Sequence, residues 1–202
     1  MTSLQNPEDV INVALVRIGW KNQIGSVWEG SEAAQLSLSI YGQTRDTLMR
    51  DGDWGFCQRN VALTLLKSAP GNNTYLTPWT SAYPPLPWAY EYAYNDDILK
   101  VRAVKPTPFF IPNFDPQPFV FAIDNDNSFT PPQRVILCNV ADAICVYAGR
   151  VTDPTTWPSD FAELLTEELG KRLGPALAGL DAAKVEAAES TNTSQMAKVA
   201  VG

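Results

Sequence analysis

Histidine is missing from this 202-residue chain, charged side chains make up only 18% of it, and cysteine occurs three times. Each scarcity excludes a class of chemistry. Without imidazole there is no Ser-His-Asp or Cys-His nucleophile, no proton shuttle near neutral pH and no His-bearing zinc or di-iron site. Cys57, Cys138 and Cys145 are odd in number and lack CxxC spacing, so buried free thiols are expected rather than a disulfide framework. Basic residues are also few: 15 Lys plus Arg stand against 22 Asp plus Glu, for a net charge of -7, and they form no cluster. A protein that grips nucleic acid through its phosphates needs such a cluster. The imbalance sits mainly in residues 91–170, with 12 acidic and 5 basic side chains, against 7 and 6 in residues 1–90. No charge-free apolar run approaches the roughly 18 residues of a membrane helix, because the uncharged stretch 68–90 is broken by five prolines. Residues 1–9 carry neither a basic stretch nor an apolar core, so no secretory leader is expected.

Proline is abundant and unevenly placed. Twelve of the 16 prolines lie between Pro70 and Pro132, which predicts short strands and extended loops through the middle third. The flanks predict helices. Asn6 suits an N-cap, Pro7 the first helical position, and Glu8 and Asp9 the positive end of the dipole. Ile11, Ala14, Leu15 and Ile18 recur at helical spacing before Gly19. A second helix is predicted from Ser31, as cap, to Arg50, with Ala34, Leu38, Tyr41, Arg45 and Leu48 along one stripe and Gly52 as the stop. Trp54 and Phe56 follow as anchors, and Val61 to Leu66 reads as a short strand or a turn of helix.

Residues 88–94 alternate strictly, placing Trp88, Tyr90, Tyr92 and Tyr94 on one face of a strand. Asn95, Asp96 and Asp97 make a turn, and Ile98 to Lys105 the return strand. Arg134–Asn139 and Ala143–Val151 read as a further pair joined around Asp142, and Phe119–Ile123 as a fifth strand. The last helix carries Pro158 and Asp160 in its first turn, with Phe161, Leu164, Leu165, Leu169, Leu173, Leu177 and Leu180 as its stripe and a kink or break at Gly174-Pro175. Beyond Asp181 no aromatic residue remains, and that stretch is expected not to fold alone. The expected class is α+β and mainly helical. Helical flanks at 7–66 and 157–180 form a small bundle, a proline-rich antiparallel β and loop insertion fills 70–152, and a flexible extension spans 181–202.

Candidate sites are sparse. The run "DNDNS" at Asp124–Ser128 opens like a calcium loop, but Phe129 stands at the turn glycine and Val135 at the closing carboxylate, so an exposed polar turn is expected and no metal. Asp51 and Asp53 flank the helix-ending Gly52, and Glu163, Glu167 and Glu168 read as the solvated face of the last helix. There is no phosphate loop, dinucleotide fingerprint or nucleophile elbow, so no cofactor and no enzymatic activity are expected. The aromatic face of Trp88, Tyr90, Tyr92 and Tyr94 has three readings: a sheet face packed inward, a surface against another subunit, or, with Trp79, a sugar-stacking platform of a carbohydrate-binding or glycan-degrading protein.

Four stretches carry a likeness to a known family: "VINVALVRIGW", "SEAAQLSLSIYGQTRDTLMRDGDWGF", "WAYEYAYNDDILKVRAV" and "ICVYAGRVTDPTTWPSDFAELLTEELGKRL". In order and spacing, over about residues 10–180, they resemble the head-to-tail adaptor (connector) proteins of tailed bacteriophages, of the tail tubular protein A or tail accessory factor type. Asn95 stands where that family often has a proline, and residues 106–132 match no family pattern. The resemblance implies an adaptor domain over 1–180 that assembles as a homo-oligomeric ring of twelve copies beneath the portal protein. It further implies a virion location at the head-tail junction after assembly in the host cytoplasm, a DNA channel that the nucleic acid passes without specific binding, and a docking surface for a downstream nozzle, tube or plug. Trp88, Tyr90, Tyr92, Tyr94, Phe109 and Phe110 are the expected subunit or partner interface, and Val185, Met196, Val199 and Val201 the expected portal contact of the C-terminal tail. Another neck or tail-completion ring would share these features.

Overall fold

A computed structural model describes residues 5–71, 78–107 and 118–199, the stretch 180–199 as backbone. The elements run α1 (Pro7–Arg17), α2 (Glu32–Asp51), a 3-10 turn (Gly55–Cys57), β1 (Gln58–Ala62), β2 (Leu65–Ser68), β3 (Tyr90–Ala93), β4 (Ile98–Pro106), β5 (Phe121–Asp126), β6 (Gln133–Cys138), β7 (Ala143–Gly149), a second 3-10 turn (Pro154–Thr156) and α3 (Ser159–Val199). They divide into two compact units: Met1–Leu48 with Thr152–Gly202, and Met49–Val151.

The first unit is helical. Asn6 caps α1 reciprocally: its side chain accepts from the Asp9 amide at 2.9 Å, and Asp9 accepts from the Asn6 amide at 3.3 Å. Val10, Ile11, Ala14 and Leu15 are buried on α1, and Phe161, Leu165, Leu169, Leu173 and Leu177 on α3. The two helices approach closely at Gly170, where a Cβ would lie 3.2 Å from the Ile18 methyl. Asn12 clamps the loop after α1 by donating to the Ile24 carbonyl at 2.9 Å and accepting from its amide at 2.8 Å. On α2 the Ser31 hydroxyl accepts from the Ala34 amide, as a cap should. The buried stripe runs through Ala34, Ser37, Tyr41, Thr44 and Arg45, while Leu38 is 39% exposed. Hydrophobicity misassigned that one position, because the small Ser37 and the paired Arg45 fill the inner face.

α3 passes through Pro175 without a break and continues to Val199, beyond the expected end near residue 180. Residues 181–199 contain neither Gly nor Pro and include five Ala, two Lys and two Glu, all good helix formers.

The second unit is built of strands, and here the expected mainly helical class is wrong. Seven strands form two antiparallel sheets, β1-β7-β4 and β2-β3-β6-β5. Two of the seven, β1 and the start of β2, fall in what the sequence assigns to a helical flank ending at residue 66. Their short apolar run has no helical period to betray it either way. β6 and β7 also do not pair with each other. Each is the middle strand of its own sheet, β6 between β3 and β5 and β7 between β1 and β4, so both edges of each are occupied. The unbroken buried run Val135–Cys138 in β6 is the pattern of a strand covered on both faces. The link between them turns at Asp142, whose φ of +48° is a left-handed conformation that Asp tolerates. The sheets share one core, with Ile98, Val104, Cys145 and Tyr147 from one and Tyr92, Ile136 and Cys138 from the other.

All three cysteines are free and buried, and burial pushes each thiol up, Cys145 to about 12. Among the described residues no helix is long and apolar enough to cross a membrane.

Candidate functional site

The aromatic face predicted at residues 88–94 is an inner face. Tyr92 is 1% exposed, donates its hydroxyl to the Val140 carbonyl at 2.7 Å, and sits in the core with Tyr90 and Tyr94 packed against it. Tyr90 and Tyr92 rings lie 6.2 Å apart, and Arg134 stacks on Tyr94 at 4.3 Å. Trp88 precedes β3 and is half-buried. Alternation in the sequence correctly placed the tyrosines on one face but could not say which way that face points. Phe109, Phe110 and Val201 lie outside the described residues; Val185, Met196 and Val199 belong to α3, whose side chains are described only through Gly179.

Residues from the family-like stretches meet one another. Asp97, in the turn before β4, accepts the Tyr147 hydroxyl of β7 at 2.8 Å and lies 3.4 Å from the Arg59 guanidinium, while its carbonyl accepts from the Arg150 amide at 3.0 Å. Tyr147 is held up by burial and by the Asp97 carboxylate. Asp153 caps the second 3-10 turn by accepting from the Thr155 amide and hydroxyl at 3.0 and 2.7 Å, and these bonds hold its carboxyl low. Trp157 then packs edge-on against Phe161, centroids 5.3 Å apart. In the second stretch Arg45 lies 5.8 Å from the Tyr41 ring and donates to Asp46 at 2.6 and 2.8 Å. Burial raises Tyr41 to about 12 against the pull of Arg45. Asp97 and Asp153 thus fix a strand pair and a turn, while Tyr41, Arg45, Trp157 and Phe161 are buried in the helical unit.

The acidic candidates are paired as structural polarity. Asp53 binds Arg102 at 2.6 Å, Asp51 binds Arg50 at 2.9 Å, and Lys171 bridges Glu167 and Glu168 at 2.9 and 2.7 Å. Arg17 reaches Glu163 at 3.5 Å. The "DNDNS" run closes β5 and forms the expected polar turn, in which Asp126 accepts from the Ser128 amide at 2.8 Å.

One cluster escaped the sequence reading. Lys67 on β2 stands opposite Glu91 on β3; its ammonium binds Asp126 at the end of β5, donates to Ser128 Oγ at 2.9 Å and lies 3.7 Å from Glu91 Oε1. Side-chain exposures of 12%, 2% and 11% for Lys67, Glu91 and Asp126 leave little water to screen them. One cation cannot balance two buried carboxylates, so a proton is retained. Burial and the neighbouring Asp126 push Glu91 up to about 7, against the pull of Lys67. Burial works against Asp126 as well, but Lys67, Ser128 and the Glu91 proton together hold it well below the usual carboxylate range. The residues come from three strands separated by more than 20 positions, so no local motif announces them. Among the described residues no three carboxylates or thiols converge as metal ligands. No family model matches the chain, and neither does any curated protein.

Proposed function

We propose that the chain is a structural subunit of a ring-shaped head-to-tail adaptor of a tailed bacteriophage, seated beneath the portal, extending the DNA channel and offering a docking surface to the next tail component. The observation that carries this reading is the order and spacing of the four family-like stretches over residues 10–180. The way their polar residues anchor turns and strand pairs gives those stretches a physical reason to be kept together: Asp97 ties the third stretch to Tyr147 of the fourth. The net charge of -7 suits a channel wall over which DNA slides, since clustered cations would hold the phosphates.

The aromatic strand serves the fold in this reading, so docking falls to other surfaces. Residues 181–202 are the proposed portal contact. The test is to mix the purified chain with the phage's portal protein and follow size and shape by chromatography and negative-stain electron microscopy. A co-complex with a ring of this chain on the portal is expected, and a chain truncated after residue 180 is expected to elute apart from it. Separate elution of the full-length chain would contradict the proposal, and unimpaired binding of the truncated one would remove the tail from it.

A further inference from the structure

Beside the Lys67–Glu91–Asp126 cluster the second unit carries a cavity of about 440 Å³, within the range of small-molecule sites. Trp79 lines it while remaining 54% exposed, and its indole Nε1 donates to the Pro84 carbonyl at 2.9 Å. That bond fixes the ring by its edge, and more than half of the residue stays exposed. Glu91 also lines the cavity and is almost wholly buried, its Oε1 facing the Lys67 ammonium at 3.7 Å. Asn125 and Asn127 add exposed amides to the same lining.

The charges narrow the ligand. An anion entering here meets Asp126 and Glu91, and a cation meets Lys67 where, among the described residues, no set of three metal-ligating side chains exists. A neutral molecule with many hydroxyls and one CH-rich face answers both constraints: the hydroxyls exchange hydrogen bonds with carboxyl and amide groups while the CH face lies on an indole. We propose that this cavity is a binding subsite for a neutral saccharide, stacked on Trp79 and hydrogen-bonded by the exposed amides of Asn125 and Asn127. It binds without cleaving. Of the three carboxyls in the lining, Glu91 is almost wholly buried and Asp126 is engaged by Lys67, which leaves Asp124 no second free carboxyl to act with.

The test titrates the isolated full-length chain with maltose, cellobiose and lactose, read by saturation-transfer NMR and tryptophan fluorescence. Its outcome is therefore independent of ring assembly. At least one disaccharide is expected to bind with a Kd in the millimolar range or tighter. Trp79→Ala should weaken that binding at least tenfold, by the order expected for a lost aromatic stacking face, with an unchanged unfolding midpoint because the ring is half exposed. Asn125→Ala should weaken it severalfold and serves as the second variant should Trp79→Ala disturb the loop. Absence of binding by all three sugars, binding indifferent to both substitutions, or displacement of the sugar by inorganic phosphate or calcium chloride would each overturn the proposal.

Discussion

The two units of this chain bury opposite things. The helical unit, Met1–Leu48 with Thr152–Gly202, buries stripes of Leu, Ile, Phe and Ala on α1 and α3, and it exposes Glu163 and Glu167. The strand unit, Met49–Val151, holds all three cysteines, the inward tyrosines and the charged trio Lys67, Glu91 and Asp126. The first unit is held mainly by apolar helix faces, α1 against α3 from opposite ends of the chain, with Ser37, Thr44 and Arg45 buried on α2. The second also depends on charges brought together from distant positions, one of which, Glu91, holds a proton below about pH 7.

The largest expected effect strikes the helical unit. Phe161 is fully buried against Trp157, and Phe161→Ala should cost about 3–5 kcal/mol in denaturant-monitored unfolding. Monitoring helix by far-UV circular dichroism and the strand unit by Cys145 labelling would show whether the loss is confined to one unit or shared. Next comes Lys67→Met, which leaves two carboxyls without their cation and should destabilise by about 3 kcal/mol at pH 8. The same variant should lose less at pH 5, where Glu91 is protonated and only Asp126 is left without its cation.

Glu91 gives the comparison a pH axis. A carboxyl raised from 4.5 to about 7 in the folded chain keeps a proton that the unfolded chain has already lost. Its stabilising contribution is therefore complete below about pH 4.5 and disappears as pH rises through 7, a loss of about 3 kcal/mol at most. Asp126 is ionised in folded and unfolded chains alike above pH 5 and adds no slope there, and histidine, which would, is absent. Thermal unfolding should show Tm falling between pH 5 and pH 8, and Glu91→Gln should flatten that dependence. A flat profile in the parent chain would sink the shared-proton account. The smallest effect returns to the helical unit, where Asn6→Ala removes the α1 cap and should cost about 1 kcal/mol.

Legibility followed the same division. The cap at Asn6, the stripe on α3 and the stop at Gly19, whose φ is +77°, are set by neighbours within a turn and could be read directly. The tyrosine alternation was legible as well, because a pleated strand has a period of two regardless of what it pairs with. The pairing was not. Nothing near β6 or β7 says that each sits in the middle of a separate sheet, and composition left Val61–Leu66 open between strand and helix. Lys67, Glu91 and Asp126 look like scattered surface charge in one dimension. A lone Lys in a region poor in charge, with Glu91 the first acidic residue after it, was the available signal, and it indicates a buried pair only once β2 and β3 are placed side by side.

The central claim is that this chain forms the ring between portal and tail, and a symmetry-averaged electron-microscopy map of the portal bound to the full-length chain tests it most directly. The account predicts twelve copies in a closed ring coaxial with the portal, around an open channel. A chain that remains monomeric beside the portal, or that occupies a peripheral position off the channel axis, would contradict it.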